Sequence, residues 1–219
     1  MLKNKFIYPV YGHTEEGNWM IDMGYSFTND KDLASIYLLG GGEDWSFHYT
    51  NQNNFHPTLS WNDARDRHEM DVIEYGLSKN KAFAGVCRGS QIGAYLADRK
   101  LGKIVQHQSN PSYIHDVKTF DGKTIPVSST HHNCAWPHYL NKKDYKLLAW
   151  SENLLEFRFL DRNNQDLIQP EAEVVYYPFV GNGFLGLQPH WEYLHKDKQY
   201  EKSMNWIRNI FNRFVNKDL

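Results

Sequence analysis

The chain has 219 residues, 41% hydrophobic and 23% charged, which predicts one compact domain spanning 1–219 and excludes an intrinsically disordered chain. Lys plus Arg number 24 against 26 for Asp plus Glu, a formal net charge of -2, so no basic excess exists to neutralise a run of phosphates and nucleic acid is not an expected partner. No apolar run approaches the roughly 18 residues of a spanning helix, Met1 to Lys5 leads only into Phe6-Ile7-Tyr8 before Pro9, and the two cysteines, Cys87 and Cys134, match no disulfide scaffold, zinc ribbon or redox pair; a cytoplasmic protein without membrane insertion is expected.

Phe6 to Tyr8 and Ser35 to Leu39 are short β-branched or aromatic runs that read as strands, the second followed by Gly40-Gly41-Gly42. Trp61 to Lys79 opens on the cap-like Ser60-x-x-Asp63 and sets Met70, Ile73 and Leu77 on one face, predicting a helix. Lys81 to Val86 reads as a buried strand. Gly89 to Ala97 carries Ile92, Tyr95 and Leu96 at helical spacing, so strand passes into helix through Cys87 with almost no loop. Ser112 to Ser128 alternates around Phe120-Asp121-Gly122-Lys123, and Asp-Gly is a strong hairpin signal. Further strands are expected at Tyr145 to Trp150, Leu154 to Leu160, Glu173 to Tyr177 and Phe184 to Gln188. Met204, Ile207, Ile210, Phe211 and Phe214 form the apolar stripe of a closing helix. With no repeat or linker to divide it, this order predicts an α/β fold: a mostly parallel sheet flanked by helices, with an antiparallel hairpin insertion.

Gly85-Val86-Cys87-Arg88-Gly89 has the form G-x-C-x-G between strand and helix, the cysteine counterpart of the nucleophile elbow. Such a turn strains the nucleophile's backbone, needs glycines where chains approach closely, and sets the sulfur at a helix N-terminus that favours thiolate. The same pentapeptide also fits a buried inert cysteine. Gln188-Pro189-His190-Trp191-Glu192 offers a base with a carboxylate two residues on, able to fix the imidazole tautomer; among 11 histidines such a pair also occurs as ordinary loop residues. Gly40-Gly41-Gly42 at a strand's carboxyl end fits backbone N–H groups turned into a cleft, or a flexible loop. A phosphate-binding loop is disfavoured, since no Gly-Lys-Ser/Thr follows. His131-His132 fit metal ligands, substrate contacts or surface residues; adjacent strand positions point to opposite faces, and no H-E-x-x-H or comparable set accompanies them.

From Ile36 to Glu192 the order of these pieces resembles the class I glutamine amidotransferase-like superfamily, closest to its γ-glutamyl-γ-aminobutyrate hydrolase family. Asp66-Arg67-His68-Glu69 with Val72-Ile73 is similar to the helix before the elbow, Ala84 to Gln91 to the nucleophile segment, Val127 to His132 to the N-S-x-H-H segment, and Leu185 to Glu192 to the G-x-Q-x-H-P-E end. The resemblance implies the flavodoxin-like fold of that superfamily. It implies Cys87 as nucleophile, His190 as general base and acid, and Glu192 as its orienter. It further implies an oxyanion hole from backbone N–H groups of Gly41, Gly42 and Arg88, and a γ-glutamyl pocket bordered by Gln91, Ser129, His131 and His132. Ser128 stands where asparagine is usual, Asn133 where glutamine is usual and Trp191 where proline is usual, and Ala97 to Gly102 replaces a Gly-Gly pair, departures that bear on substrate choice.

The expected activity is cysteine-dependent hydrolysis of a γ-glutamyl amide, glutamine or a γ-glutamyl amine, through a thioester, with no metal or organic cofactor. The expected partner is the small-molecule substrate. One alternative is a glutaminase subunit supplying ammonia to a separate synthetase or ligase, a partner required because the chain ends after its closing helix. Others are a catalytically silent binding module of the same fold and a metallohydrolase built on His131 or His132. Leaving amine, oligomeric state and pathway stay open.

Overall fold

The computed structural model describes residues 5–11, 17–46, 61–98, 113–129, 131, 134–151 and 170–219. Their elements in chain order are β1 (Phe6–Pro9), α1 (Asn18–Ile21), β2 (Ser26–Phe27), β3 (Ile36–Leu39), α2 (Asp63–Ser78), β4 (Ala82–Val86), α3 (Arg88–Asp98), β5 (Tyr113–Thr119), β6 (Thr124–Ser129), β7 (Lys146–Ser151), β8 (Glu171–Tyr177), β9 (Phe184–Leu187) and α4 (Glu201–Asn216). The expected strand over Leu154 to Leu160 and the cap residue Ser60 lie outside the described residues. The sequence did not point to α1 or β2, which are too short to carry a periodicity.

The described strands form one sheet in the order β2-β1-β3-β4-β9-β8-β7-β5-β6. From β2 to β9 every pairing is parallel; from β9 outward every pairing is antiparallel. The α/β class is as expected. The antiparallel share is larger than a lone hairpin, because β5 and β6 are the outer edge of the same sheet rather than a separate insert. Gly122, at φ +79°, takes the left-handed position of the Asp-Gly turn.

All four residues of β3 are buried, and they alternate between two cores. Ile36 and Leu38 pack with Trp19, Met20, Leu185, Ile207, Ile210 and Phe211; Tyr37 and Leu39 pack with Val72, Ile73, Ile92 and Phe184 on the other face. α4 covers the first face through the stripe read from the sequence, with Trp206 and Ser203 added to it.

α2 departs from expectation. Asn62 caps it, accepting from the backbone N–H of Ala64 and Arg65 at 3.1 Å. Met70 and Leu77 are only partly buried, and the fully buried stripe is Arg65, Asp66, Glu69, Val72, Ile73 and Gly76. Only its C-terminal half is apolar; the first two turns bury three charged residues, and their partners explain why.

The sheet's connectivity places the site. Leu39 pairs with Gly85 and Val86 with Leu187, so β3, β4 and β9 end side by side, and the chain leaves them at Gly40, Cys87 and Gln188. This is the carboxyl edge at which open parallel sheets form their clefts.

Candidate active site

Cys87 has φ +50°, the left-handed region that a residue with a side chain rarely adopts. Its N–H donates to the Leu187 carbonyl at 2.7 Å and its carbonyl accepts from Ser90 N–H at 2.9 Å, which pins the turn to β9 and to the first turn of α3. Both glycines of the pentapeptide are sterically required. A Cβ on Gly85 would lie 2.3 Å from the Gly89 backbone, and one on Gly89 2.3 Å from the Leu39 carbonyl oxygen. Cys87 is 7% exposed and Cys134 fully buried.

His190 follows β9, and its Nδ1 lies 2.5 Å from Glu192 Oε1. With Nδ1 held, Nε2 is the nitrogen left to meet the Cys87 sulfur, and the two side chains are hydrogen-bonded. The imidazole stacks on Tyr193 at 5.0 Å between centroids. Burial alone would lower the His190 pKa, but the hydrogen bonds and charges of Cys87 and Glu192 outweigh it and push the value up to about 10. The Ser128 hydroxyl clamps the base from β6, donating to the His190 carbonyl at 2.8 Å and accepting from the His190 N–H at 3.1 Å. Serine at this position therefore fixes the backbone of the base.

The glycine loop is set from α2. Arg65 Nη2 donates to the Gly41 carbonyl at 2.8 Å, and the trans peptide turns the Gly42 N–H to the opposite side. Gly42 has φ +118°, and a Cβ there would sit 2.6 Å from Arg65 Nη1. Arg65 Nε donates to Glu69 Oε1 at 2.9 Å; Glu69 and Asp66 both accept from the Arg88 guanidinium; and Asp66 also accepts from the Ser46 N–H at 2.9 Å. Arg88 is 1% exposed and lies over the Trp45 ring at 5.3 Å. The buried charges of α2 thus lock the residue after the nucleophile to the loop opposite it. The sequence pointed to Arg88 for its backbone N–H; the visible signal for its side chain was Arg65, Asp66 and Glu69 at i, i+1 and i+4 where a helix should bury apolar residues.

Gln91 lies half-buried in the first turn of α3, its N–H donating to the Cys87 carbonyl at 3.3 Å. Ser129 ends β6. His131 is 2% exposed and its Nε2 lies 3.1 Å from Glu171 Oε1. His132 is outside the described residues.

No protein-family model matches the chain, and no curated protein matches it. Solved structures do. A glutamine amidotransferase from Thermotoga maritima matches at 15% identity over 97% of this chain and 99% of its own, with a TM-score of 0.62. A putative GMP synthase glutaminase-type match from Thermoplasma acidophilum has 16% identity over 99% of this chain and 94% of its own, with a TM-score of 0.58. The chain has the class I glutamine amidotransferase fold. The glutaminase domain of Trypanosoma brucei CTPS with bound acivicin shares that layout at 10% identity, covering 99% of this chain and 95% of its own, with a TM-score of 0.52. In this chain's amidotransferase fold the elbow, glycine loop and His-Glu pair meet at one edge of the sheet. Among the described residues no helix is long and apolar enough to cross a membrane.

Proposed function

We propose that the chain is a cysteine-dependent hydrolase of γ-glutamyl amide bonds, acting on glutamine or a γ-glutamyl amine through Cys87, His190 and Glu192. One observation carries the reading: a cysteine held at positive φ on a strand-to-helix turn is hydrogen-bonded to a histidine whose other nitrogen is held by a carboxylate. Cys87 thiolate attacks the γ-carbonyl carbon. The oxyanion that forms is met by the N–H groups of Arg88, Gly41 and Gly42, where loss of one donor costs about 3 kcal/mol in comparable sites. His190, protonated, gives its proton to the departing amine as the C–N bond breaks, leaving a γ-glutamyl thioester. A water then attacks, its proton passing to His190, and glutamate leaves as the C–S bond breaks.

Gln91, Ser129 and His132 border the glutamyl moiety in this reading. His131, buried against Glu171, orders that segment from behind. A second reading makes the chain a glutaminase subunit that passes ammonia to a separate synthetase, and the likeness to a putative GMP synthase component is the observation that favours it.

Release of ammonia or amine from glutamine and a panel of γ-glutamyl amides, wild type beside Cys87→Ala, is the test. Turnover of any of these by wild type and none by the variant supports the hydrolase. Turnover that rises sharply only on adding a synthetase supports the ammonia-donor reading. Equal rates in both proteins would sink the nucleophile assignment.

A further inference from the structure

A second polar cluster lies in the antiparallel half of the sheet, behind the base. Glu171 and Glu173 occupy alternate positions of β8, so both side chains leave the same face. They are 1% and 0% exposed. His115 Nε2, from β5, lies 2.7 Å from Glu173 Oε1, and His131 Nε2, just past the end of β6, lies 3.1 Å from Glu171 Oε1. The donor atoms of His115, Glu171 and Glu173 all fall within 4.8 Å of one another. Burial and the neighbouring Glu173 push the Glu171 carboxyl well above its ordinary value, opposed by His115.

We propose that His115, Glu171 and Glu173, with His131 as fourth donor, bind a divalent transition-metal ion of the zinc class. Three features point there. Two carboxylates buried on one strand repel, and a divalent ion cancels their charge where monovalent partners would each have to carry a proton. Two imidazoles and two carboxylates without a thiolate form the nitrogen and oxygen set that suits Zn²⁺ rather than Mg²⁺ or Ca²⁺. The donors also converge from separate segments to a spacing one ion can span. At metal–ligand lengths of about 2.1 Å, tetrahedral ligands sit about 3.4 Å apart, so each His–Glu pair opens by less than its own hydrogen-bond slack. The proton shared within each pair leaves to solvent as the ion enters, giving neutral imidazoles and ionised carboxylates.

The ion would take no part in the hydrolysis. It would fasten the start of β8 to β5 and to the segment after β6. Gln188 N–H, two residues before the base, donates to the Glu173 carbonyl at 2.8 Å, and Ser128, three residues before His131, holds the His190 backbone. The proposal does not depend on which γ-glutamyl amide is the substrate.

The test uses the full chain carrying Cys87→Ala, so that zinc cannot be captured by the nucleophile, freed of metal with a chelator and titrated with Zn²⁺ by calorimetry. About one equivalent should bind, adding Glu173→Gln or His115→Ala should weaken binding at least about tenfold, and Tm should rise with Zn²⁺ in the parent but not in either variant. No binding by the parent, or equal binding in both cluster variants, overturns the proposal. Should the variants fail to fold, anomalous scattering from zinc-soaked crystals of the parent decides: an ion between His115 and Glu173 supports it, and its absence there overturns it.

Discussion

The two halves of the sheet solve burial differently. In the parallel half, β3 and β4 bury apolar residues on both faces and chemistry is confined to the turns where strands end. In the antiparallel half, β8 buries Glu171 and Glu173 within the strand itself, each paired to a histidine from another segment. A parallel strand covered by helices has no solvated face to spare for polar residues, whereas the strands beyond β9 hold theirs by mutual hydrogen bonding. The nucleophile therefore depends on local backbone sterics, and the base on contacts across the antiparallel half.

The most severe loss tests the parallel half alone. Cys87→Ala should abolish turnover of every substrate, and limited iodoacetamide at neutral pH should label Cys87 before the fully buried Cys134, read by peptide mass spectrometry. Preferential labelling of Cys134 with activity retained would separate the elbow from the chemistry. His190→Ala, at the junction of the halves, should lower kcat by a factor on the order of hundreds or more.

Next in size is Glu69→Ala, which leaves Arg65 and Arg88 buried without their shared acceptor. Breaking a buried ion pair this way costs about 3–5 kcal/mol, measurable by urea denaturation, and a loss under about 1 kcal/mol would mean that water replaces the carboxylate. pH sharpens the contrast. Because the His190 pKa is raised from 6.5 to about 10 in the folded chain, the stabilisation of its protonated form is complete below about pH 6.5 and is lost as pH rises through about 10. The stability gap between wild type and His190→Gln should accordingly narrow from about pH 7 to about pH 10, and a constant gap would contradict the charged pairing. The mildest change belongs to Ser128→Ala, expected to cost about 1 kcal/mol and to lower kcat with KM little changed, since the hydroxyl holds the base and not the substrate.

Features written in neighbouring residues were legible without any structure. The elbow, the His190-Trp191-Glu192 pair and the Asp-Gly turn are each encoded within a few positions, and steric need or hydrogen-bond reach makes them visible there. The strands from Phe6 to Val86 and the stripe of α4 were equally readable, because burial of an apolar face imposes a period on consecutive residues.

Which distant side chains share a charge was settled by the folded chain alone. Arg88 meets Asp66 and Glu69 across 22 and 19 positions, and His115 meets Glu173 across 58. Ser128 reaches His190 across 62. Such pairs leave no periodic trace, since each residue alone looks like an ordinary surface charge or hydroxyl, and their free energy arises only when strand order and register bring both partners out of water together. The same holds for the extent of the antiparallel half: a hairpin signal marks two strands, but only the pairing of β5 with β7 makes that hairpin the edge of the sheet that carries the nucleophile.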